Sequence, residues 1–283
     1  MLPEDITAEF DAATIAPVVE LLVRPVVEVA AKTDMGRVRD NNEDKHEFYS
    51  PDHDAELASR GMIFIVCDGM GGHAAGQFAS ELAVKTFIDV YRTHPASNAV
   101  EAARAAVLAA HRFVLDVART IPQRRGMGCT LSALLVIQDQ AVVAHVGDSR
   151  IYQLRDGALT QITLDHTWLE ETVRSGAMSR EDAEMSQYRH AITRAIGQVE
   201  EALVPDVFMI PLHEDDMYMI CSDGITNHVG DDAIHQALAS SGPGPAAWAL
   251  VNQALAGGGS DNATAMVIRI AELRKEPAPE IQP

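Results

Sequence analysis

Short apolar segments joined by turns of two or three residues limit the possible folds of this 283-residue chain more than any other feature. The segments CTLSALLVI and AVVAHVGD are separated only by residues 138–140, and Asp156-Gly157 ends the next segment, RIYQLR. Connections this short join antiparallel strands, because a parallel pair needs a crossover of a dozen residues or more. The sequence therefore predicts an α+β fold and not a doubly wound sheet.

Long amphipathic segments interrupt the predicted strands at two places. Alanine-rich segments at about residues 77–92 and 97–119 predict one helix pair, and residues 231–240 and 245–256 predict a second. One helix pair on each outer face of two packed sheets would bury all of these apolar surfaces. We therefore predict a four-layer αββα sandwich, with two central antiparallel sheets between the helix pairs. A polar insert at about residues 165–197 departs from this pattern.

The two ends of the chain differ in character from the predicted sandwich. Residues 1–25 read as an extension with a short helix at residues 6–14, residues 26–272 as the folded domain, and residues 273–283 as a proline-rich disordered tail. No apolar stretch approaches the roughly 20 residues needed to span a bilayer. The first ten residues, MLPEDITAEF, lack the basic region of a secretory signal. We expect a soluble, cytoplasmic protein.

Composition excludes several classes of partner and site. Acidic residues outnumber basic ones by 41 to 22, which gives a formal net charge of −19. Such a chain repels nucleic acids and anionic membranes, so neither is an expected partner. The three cysteines, Cys67, Cys129 and Cys221, are widely spaced and each lies in an apolar segment. They predict buried thiols rather than a disulfide framework or a zinc site.

Four aspartates stand at the ends of predicted buried strands. Asp68, Asp148 and Asp223 each follow an apolar segment and adjoin a small residue, and Asp261 precedes the last strand in GGGSDNATAMVI. Burying a carboxylate is costly unless its charge is compensated. Strand ends that converge would therefore require cations, and ligands made only of oxygen suit magnesium or manganese. Two such ions can activate a water for attack on phosphorus.

Phosphate chemistry also needs a cationic group that grips the phosphoryl oxygens. The segment GRVRDNNED places Arg37 and Arg39 just before the acidic pair Glu43-Asp44. Either guanidinium could hold two phosphate oxygens in a fork geometry. These residues extend the candidate site beyond the four aspartates.

The segment FIVCDGMGGHAAG permits a competing interpretation. A strand, a glycine-rich turn and a helix imitate a dinucleotide-binding fingerprint. However, the spacing is incomplete, with Gly69 and Gly71 followed by Ala74. Asp68 would repel a pyrophosphate, and a second helix follows instead of a parallel strand. The dinucleotide site is therefore the weaker hypothesis.

An ordered set of motifs covers about residues 26–271: GRVRDNNED, VCDGMGGHAAG, MGCTLSALL, HVGDSRIYQLRDG, ITRAIG, ICSDGI and GGGSDNAT. In this set the chain resembles the metal-dependent protein serine/threonine phosphatases of the 2C type, the PPM family, and its bacterial branch in particular. Each motif alone is weak, whereas the complete series in family order is specific. In this family the polar insert corresponds to a mobile flap beside the active site.

The resemblance implies a role for each candidate residue. Asp68 would bridge two metal ions, Mn²⁺ or Mg²⁺, and the Gly69 carbonyl would bind one of them. Asp223 and Asp261 would complete the ligands, and Asp148 matches a third, weaker site in many members. The metal set is therefore Asp68, Gly69, Asp223, Asp261 and Asp148.

Three further residues would be catalytic according to the same resemblance. Glu43 and Asp44 would act through metal-bound waters, and Arg39 would bind the substrate phosphate. His190 lies near the position of a further third-metal ligand. Met70 stands where many eukaryotic relatives have a histidine proposed as the general acid, and His73 follows it. The general acid is therefore left unassigned.

The implied activity is that of a hydrolase acting on phosphoserine and phosphothreonine in proteins, opposing bacterial serine/threonine kinases. A metal-bridged hydroxide would attack phosphorus directly, without a phosphoenzyme. Two alternatives remain open at this point. One is a non-catalytic binding module of the same fold, which would usually have lost its metal-binding aspartates. The other is a phosphatase of small phosphorylated molecules.

Overall fold

The computed structural model describes residues 19–72, 74–198 and 202–277, so the helix predicted at residues 6–14 and His73 lie outside the described residues. The strands are, in chain order, β1 (Val23–Asp34), β2 (Lys45–Tyr49), β3 (Met62–Cys67), β4 (Gly69–Met70), β5 (Gly128–Cys129), β6 (Leu131–Ile137), β7 (Gln140–Val146), β8 (Arg150–Arg155), β9 (Ala158–Gln161), β10 (Asp206–Pro211), β11 (Met217–Cys221) and β12 (Ala263–Lys275). The helices are α1 (Asp54–Ser59), α2 (Ala74–Thr93), α3 (Ala99–Thr120), α4 (Trp168–Arg174), α5 (Arg180–Glu184), α6 (Asp223–Thr226), α7 (Asp231–Ser240) and α8 (Pro243–Ala256).

The strands form two five-stranded antiparallel sheets and one small ribbon. One sheet has the order β1-β12-β11-β8-β9, the other has the order β10-β7-β6-β3-β2, and β4 pairs with β5. Three apolar clusters fill the spaces between layers: α2 and α3 against one sheet, α7 and α8 against the other, and side chains of both sheets between them. The predicted four-layer αββα sandwich is confirmed.

Strand β3 shows why the central strands are apolar without interruption. Successive side chains of a strand point to opposite faces. Ile63 and Ile65 pack toward the helices α2 and α3, whereas Phe64 and Val66 pack into the space between the sheets. Both faces are therefore buried, and a polar side chain on either face would need a buried partner.

The folded region extends beyond both predicted boundaries. Strand β1 begins at Val23, not at residue 26, and β12 continues to Lys275, so residues 273–275 are strand and not disordered tail. Val23 pairs with Lys275, and this pairing extends the ladder to both strand ends. Pro25 is tolerated because β1 lies at the sheet edge, where a missing backbone donor costs little. The division of the chain into domains otherwise remains a prediction.

The predicted polar insert contains two short helices, α4 and α5, that begin with side-chain caps. The hydroxyl of Thr167 accepts from the Glu170 amide, and that of Ser179 accepts from the Asp182 amide. An isolated antiparallel β-bridge also joins Thr167 to Ile192, so residues near the two ends of the insert lie side by side.

Within the described ranges, no helix is long and apolar enough to cross a bilayer.

Truncating a side chain between the sheets should cost more than truncating the same side chain at the surface. Leu134 is fully buried in this layer, whereas Leu164 is 52% exposed. We expect Leu134→Ala to lower the free energy of unfolding by about 2–5 kcal/mol and Leu164→Ala by less than about 1 kcal/mol. Urea unfolding of both variants measures this. Equal losses would show that the inter-sheet layer does not carry the stability assigned to it.

Candidate active site

The structure gathers the four strand-end aspartates at one end of the sandwich. Asp68 follows β3, Asp148 follows β7, Asp223 opens α6 directly after β11, and Asp261 lies just before β12. They share a cleft of about 310 Å³. The cleft is lined by Arg39, Glu43, Asp68, Gly69, Met70, Gly71, Gly72, Thr130, Asp148, Ile192, Asp223, Asp261 and Asn262.

Burial and neighbouring negative charges disfavour the charged forms of Asp68, Asp148 and Asp223 in the metal-free protein. Burial raises the pKa of Asp68 well above its ordinary value, and the charge of Asp44 raises it further. Burial and the Asp223 charge raise the pKa of Asp148 to about 7. Asp223 also has a raised pKa, from burial and then from Asp261, and it is close enough to Asp68 for a hydrogen bond. A carboxylate cluster of this kind binds protons or cations.

Two buried carboxylate oxygens at this end of the molecule lack a protein partner. Among the described residues, Asp44 Oδ1 and Asp223 Oδ1 accept no hydrogen bond. Their companion oxygens are bonded: Asp223 Oδ2 accepts from Asn227 at 3.1 Å, and Asp44 Oδ2 accepts from Ser222 at 2.7 Å. Buried polar atoms are nearly always satisfied, so the two free oxygens fit a site for a cation or its waters.

The protein side chains do not enclose an ion by themselves. In the described part of the chain, no three His, Cys, Asp or Glu side chains are grouped closely enough to hold one. Magnesium and manganese commonly keep several waters and accept backbone carbonyls as ligands. The Gly69 carbonyl belongs to a residue that lines the cleft beside Asp68. The residues therefore fit divalent cations bound partly through water.

Arg39, and not Arg37, lies in the cleft. Its Nη2 donates to Asp261 Oδ2 at 2.7 Å, and half of its side chain is exposed. Arg37 is held by its backbone amide, which donates to Gly259 at 2.7 Å, and it does not line the cleft. Of the two arginines that the sequence offered, the structure places Arg39 where a phosphate could reach it.

Asp44 lies beneath the cleft and not on its wall. It is only 7% exposed, and Thr264 donates to its Oδ2 at 2.6 Å beside the Ser222 bond. The pKa of Asp44 is raised to about 7, mainly by burial and further by the charges of Asp223 and Asp261. The hydrogen bonds from the Thr264 and Ser222 hydroxyls lower it. Its neighbour Glu43 does line the cleft, although it is also only 7% exposed.

Asn262 is a site residue that the sequence reasoning missed. Its Nδ2 donates to the carbonyls of Met35 and Asn41, and its Oδ1 accepts from the Glu43 amide at 2.8 Å. Asn262 thus fixes the loop that carries Arg39 and Glu43 to the start of β12. Its only sequence signal was its place directly after Asp261.

Thr130 is a second missed residue, and it fixes the position of Asp68. Its hydroxyl accepts from the Asp68 amide at 2.9 Å, and its own amide donates to the Asp68 carbonyl at 2.9 Å. Ser149 bonds to the same hydroxyl at 2.7 Å. These bonds join the Asp68 loop to the Asp148 loop.

The insert borders a second groove, of about 400 Å³, that shares Asp148 and Asp223 with the cleft. His190 lines this groove, and its Nε2 lies 2.9 Å from Nε of Arg189, which donates to it. This contact occupies one ring nitrogen of His190. Its role as a ligand for a third ion stays a prediction, as do the roles of the other site residues.

The region around Met70 contradicts the dinucleotide alternative. Strand β3 pairs antiparallel with both of its neighbours, β2 and β6, and α2 is followed by α3. A dinucleotide site needs a parallel strand after the first helix. Met70 lines the cleft beside Gly69.

All three cysteines are buried and free, as predicted.

A comparison with protein families matches the description Protein phosphatase 2C to residues 30–263. The chain belongs to the protein phosphatase 2C family. The match covers every cleft residue and the elements from β2 to α8, and it confirms the predicted family. Among similar family members, the serine/threonine protein phosphatase PstP of Mycobacterium tuberculosis is 35% identical over 247 residues, which are 87% of this chain and 46% of PstP. The chain thus spans about half the length of PstP.

Shorter family members match over nearly their whole length. The serine/threonine phosphatase stp of Listeria monocytogenes is 35% identical over 84% of this chain and 93% of its own. A crystal structure of the catalytic domain of PstP in complex with two manganese ions has a TM-score of 0.73 at 35% identity and covers 89% of this chain and all of that one. The Stp1 phosphatase of Staphylococcus aureus has a TM-score of 0.77 at 28% identity, over 89% of this chain and 97% of its own.

Proton uptake by Asp44 should make the stability of the metal-free protein depend on pH. Because its pKa is raised to about 7 in the folded state, this group stabilises the fold below about pH 4, and the contribution is lost as pH rises toward 7. The buried His145, with a pKa lowered to about 3, gives the opposite slope. The difference between wild type and Asp44→Asn therefore reports the titration of the Asp44 carboxyl group together with its effect on Asp68.

We expect the advantage of wild type over Asp44→Asn to fall by at least about 1 kcal/mol between pH 5 and pH 8 in the presence of a chelator. Urea unfolding at a series of pH values measures it. Addition of Mn²⁺ at pH 8 should raise the stability of wild type more than that of the variant, since a cation replaces the proton. A difference that is constant with pH would refute the assignment.

Proposed function

We propose that this chain is a metal-dependent phosphatase that hydrolyses phosphoserine and phosphothreonine in proteins. The observation that carries the proposal is the cleft in which the strand-end aspartates, two unpaired carboxylate oxygens and Arg39 lie together. Family membership and the names of relatives that match over most of their length support the same reaction. The chemistry is that of a phosphoric monoester hydrolase.

We propose two divalent cations, Mn²⁺ or Mg²⁺, as cofactors. Asp68, the Gly69 carbonyl, Asp223 and Asp261 would hold them, and Asp148 would contribute to a third site. When bound, the cations would supply an activated water and neutralise charge on the phosphoryl group. The two manganese ions in the PstP catalytic domain support this assignment.

The remaining residues would bind and orient the reactants. Arg39 is half exposed, and the Asp261 bond holds its guanidinium in the cleft, so it can bind phosphoryl oxygens as a fork. Glu43 is fixed through its amide by Asn262 and would orient water in the cleft. Asp44 would act from beneath, where the Ser222 and Thr264 hydroxyls fix one of its oxygens and the other is free.

The biological setting that we propose is a cytoplasmic signalling system. Substrates would be phosphorylated proteins, and the opposing enzyme would be a cognate serine/threonine kinase. The absence of a membrane-spanning helix among the described residues is consistent with this setting. The net charge of −19 argues against nucleic acid as a partner.

Two alternatives have less support. A non-catalytic binding module would usually have lost metal-binding aspartates, yet Asp68, Asp223 and Asp261 all line the cleft. A phosphatase of small molecules would use the same cleft, and only its substrate preference would differ. The experiment below therefore includes nucleotides and sugar phosphates as substrates.

We expect Mn²⁺-dependent hydrolysis of a phosphothreonine peptide, and a loss of at least about 100-fold in kcat for Asp223→Asn. The variant keeps the size of the side chain but removes the charge that would bind a cation. Phosphate release with and without a chelator measures both effects. Asp116→Asn, an exposed position on α3, is the matched control and should retain wild-type activity.

Each outcome separates the hypotheses. Preference for the peptide over nucleotides and sugar phosphates supports a protein phosphatase, and the reverse preference indicates a phosphatase of small molecules. Absence of turnover on every substrate, in metal-loaded wild type, would favour the binding module.

A further inference from the structure

A groove beside the cleft, lined by no residue of the insert, is not used by the proposed reaction. It measures about 580 Å³, and we call it the side groove. Its lining includes Phe78, Ile121, Gln123, Arg124 and Arg125, together with Gly71 and Gly72. The two glycines also line the catalytic cleft, so the two depressions are continuous.

The wall of the side groove is fixed rigidly to the cleft. A 3-10 turn at Pro122–Arg124 is closed by bonds from the amide of Arg124 to Ile121 and from that of Arg125 to Pro122. The chain then enters β5, which pairs with β4 and hence with Gly69. A Cβ on Gly71 would lie 2.9 Å from Met127 Cα, so the two loops touch. A ligand in the groove is therefore held at a fixed distance from the cleft.

The side groove combines apolar surface with positive charge. Phe78 is 36% exposed and Ile121 is 40% exposed. The Arg124 guanidinium lies over the Phe78 ring, 4.6 Å from its centroid. Arg125 is exposed, and within the described residues no acidic side chain forms an ion pair with it. Arg125 can therefore pair with an acidic group of a ligand.

The charge of this region contrasts with that of the whole chain. Residues 112–125, RFVLDVARTIPQRR, contain four arginines and one aspartate, whereas the net charge of the chain is −19. The groove beside the insert has the opposite character. There Arg180 is paired with Glu170 and Arg150 with Asp165, and Glu184 also lines the groove. Acidic ligand groups are therefore favoured in the side groove and not beside the insert.

We propose that the side groove binds the substrate polypeptide next to the phosphorylated residue and selects an apolar and an acidic side chain. Because Gly71 and Gly72 line both depressions, these side chains would belong to residues close to the phosphoresidue in the substrate sequence. The apolar side chain would pack on Phe78 and Ile121, and the acidic one would pair with Arg125. This inference rests on the proposed function and specifies its substrate class.

The test compares two phosphothreonine peptides that differ only in whether the neighbouring residues are Leu and Asp or Ser and Asn. We expect wild type to show a KM about fivefold lower for the Leu-Asp peptide, consistent with a partly exposed ion pair plus apolar contact. In Arg125→Glu this preference should vanish, with a much smaller change for p-nitrophenyl phosphate, which does not extend into the groove. Arg274→Glu, an exposed charge reversal near the far end of β12, is the control and should keep the preference.

Phe78→Ala should reduce the preference for the Leu-Asp peptide only in part, because it removes the apolar contact and keeps Arg125. Fluorescence anisotropy of both labelled peptides with wild type and Arg125→Glu measures binding without turnover. Turnover of both peptides with equal KM in wild type would overturn the side-groove proposal and leave the proposed function intact. Selective binding of the Leu-Asp peptide that Arg125→Glu abolishes, without turnover of any substrate, would support the groove and refute the phosphatase. Equal loss of preference in Arg274→Glu would show a general effect of charge and would also overturn it.

Discussion

Repulsion among buried carboxyl groups is the interaction on which the rest of this structure depends. Asp68, Asp223 and Asp44 all have raised pKa values, and burial is the largest cause in each case. A fold that places such groups together is stable only when protons or cations occupy the cluster. Two carboxylate oxygens that have no partner among the described residues indicate where a cation or its waters would bind. Folding and cation binding are therefore parts of one equilibrium in this protein.

The sandwich distributes this cluster over both sheets, and hydroxyl and amide side chains connect the parts. Thr130 ties Asp68 to the loop of Asp148 in one sheet. Thr264, on β12 of the other sheet, bonds to Asp44. Asn262 fixes the loop that carries Arg39. The cleft would widen or close if the sheets moved relative to each other, so the apolar layer between them also maintains the geometry of the site.

The sequence could predict features with a local pattern. The apolar run of β3 predicted a strand buried on both faces, and aspartates after such runs predicted the cluster. Features set by distant partners could not be read in this way. Asn262 and Thr130 contact residues that are more than 60 positions away in sequence, and no local periodicity marks such contacts. Strand β1 begins before the predicted boundary at residue 26, because it accepts Pro25 at an edge position that only the sheet order reveals.

The pairing of β1 with β12 also determines where the folded region begins and ends on the surface of the domain. Val23 lies opposite Lys275 at one end of the ladder, and Asp34 lies opposite Ala263 at the other. Only the second end adjoins the loops of Arg39 and Asp261. With about 3.4 Å per residue, the two ends of the ladder are roughly 40 Å apart. The folded region therefore begins and ends at the end of the ladder that is remote from the cleft.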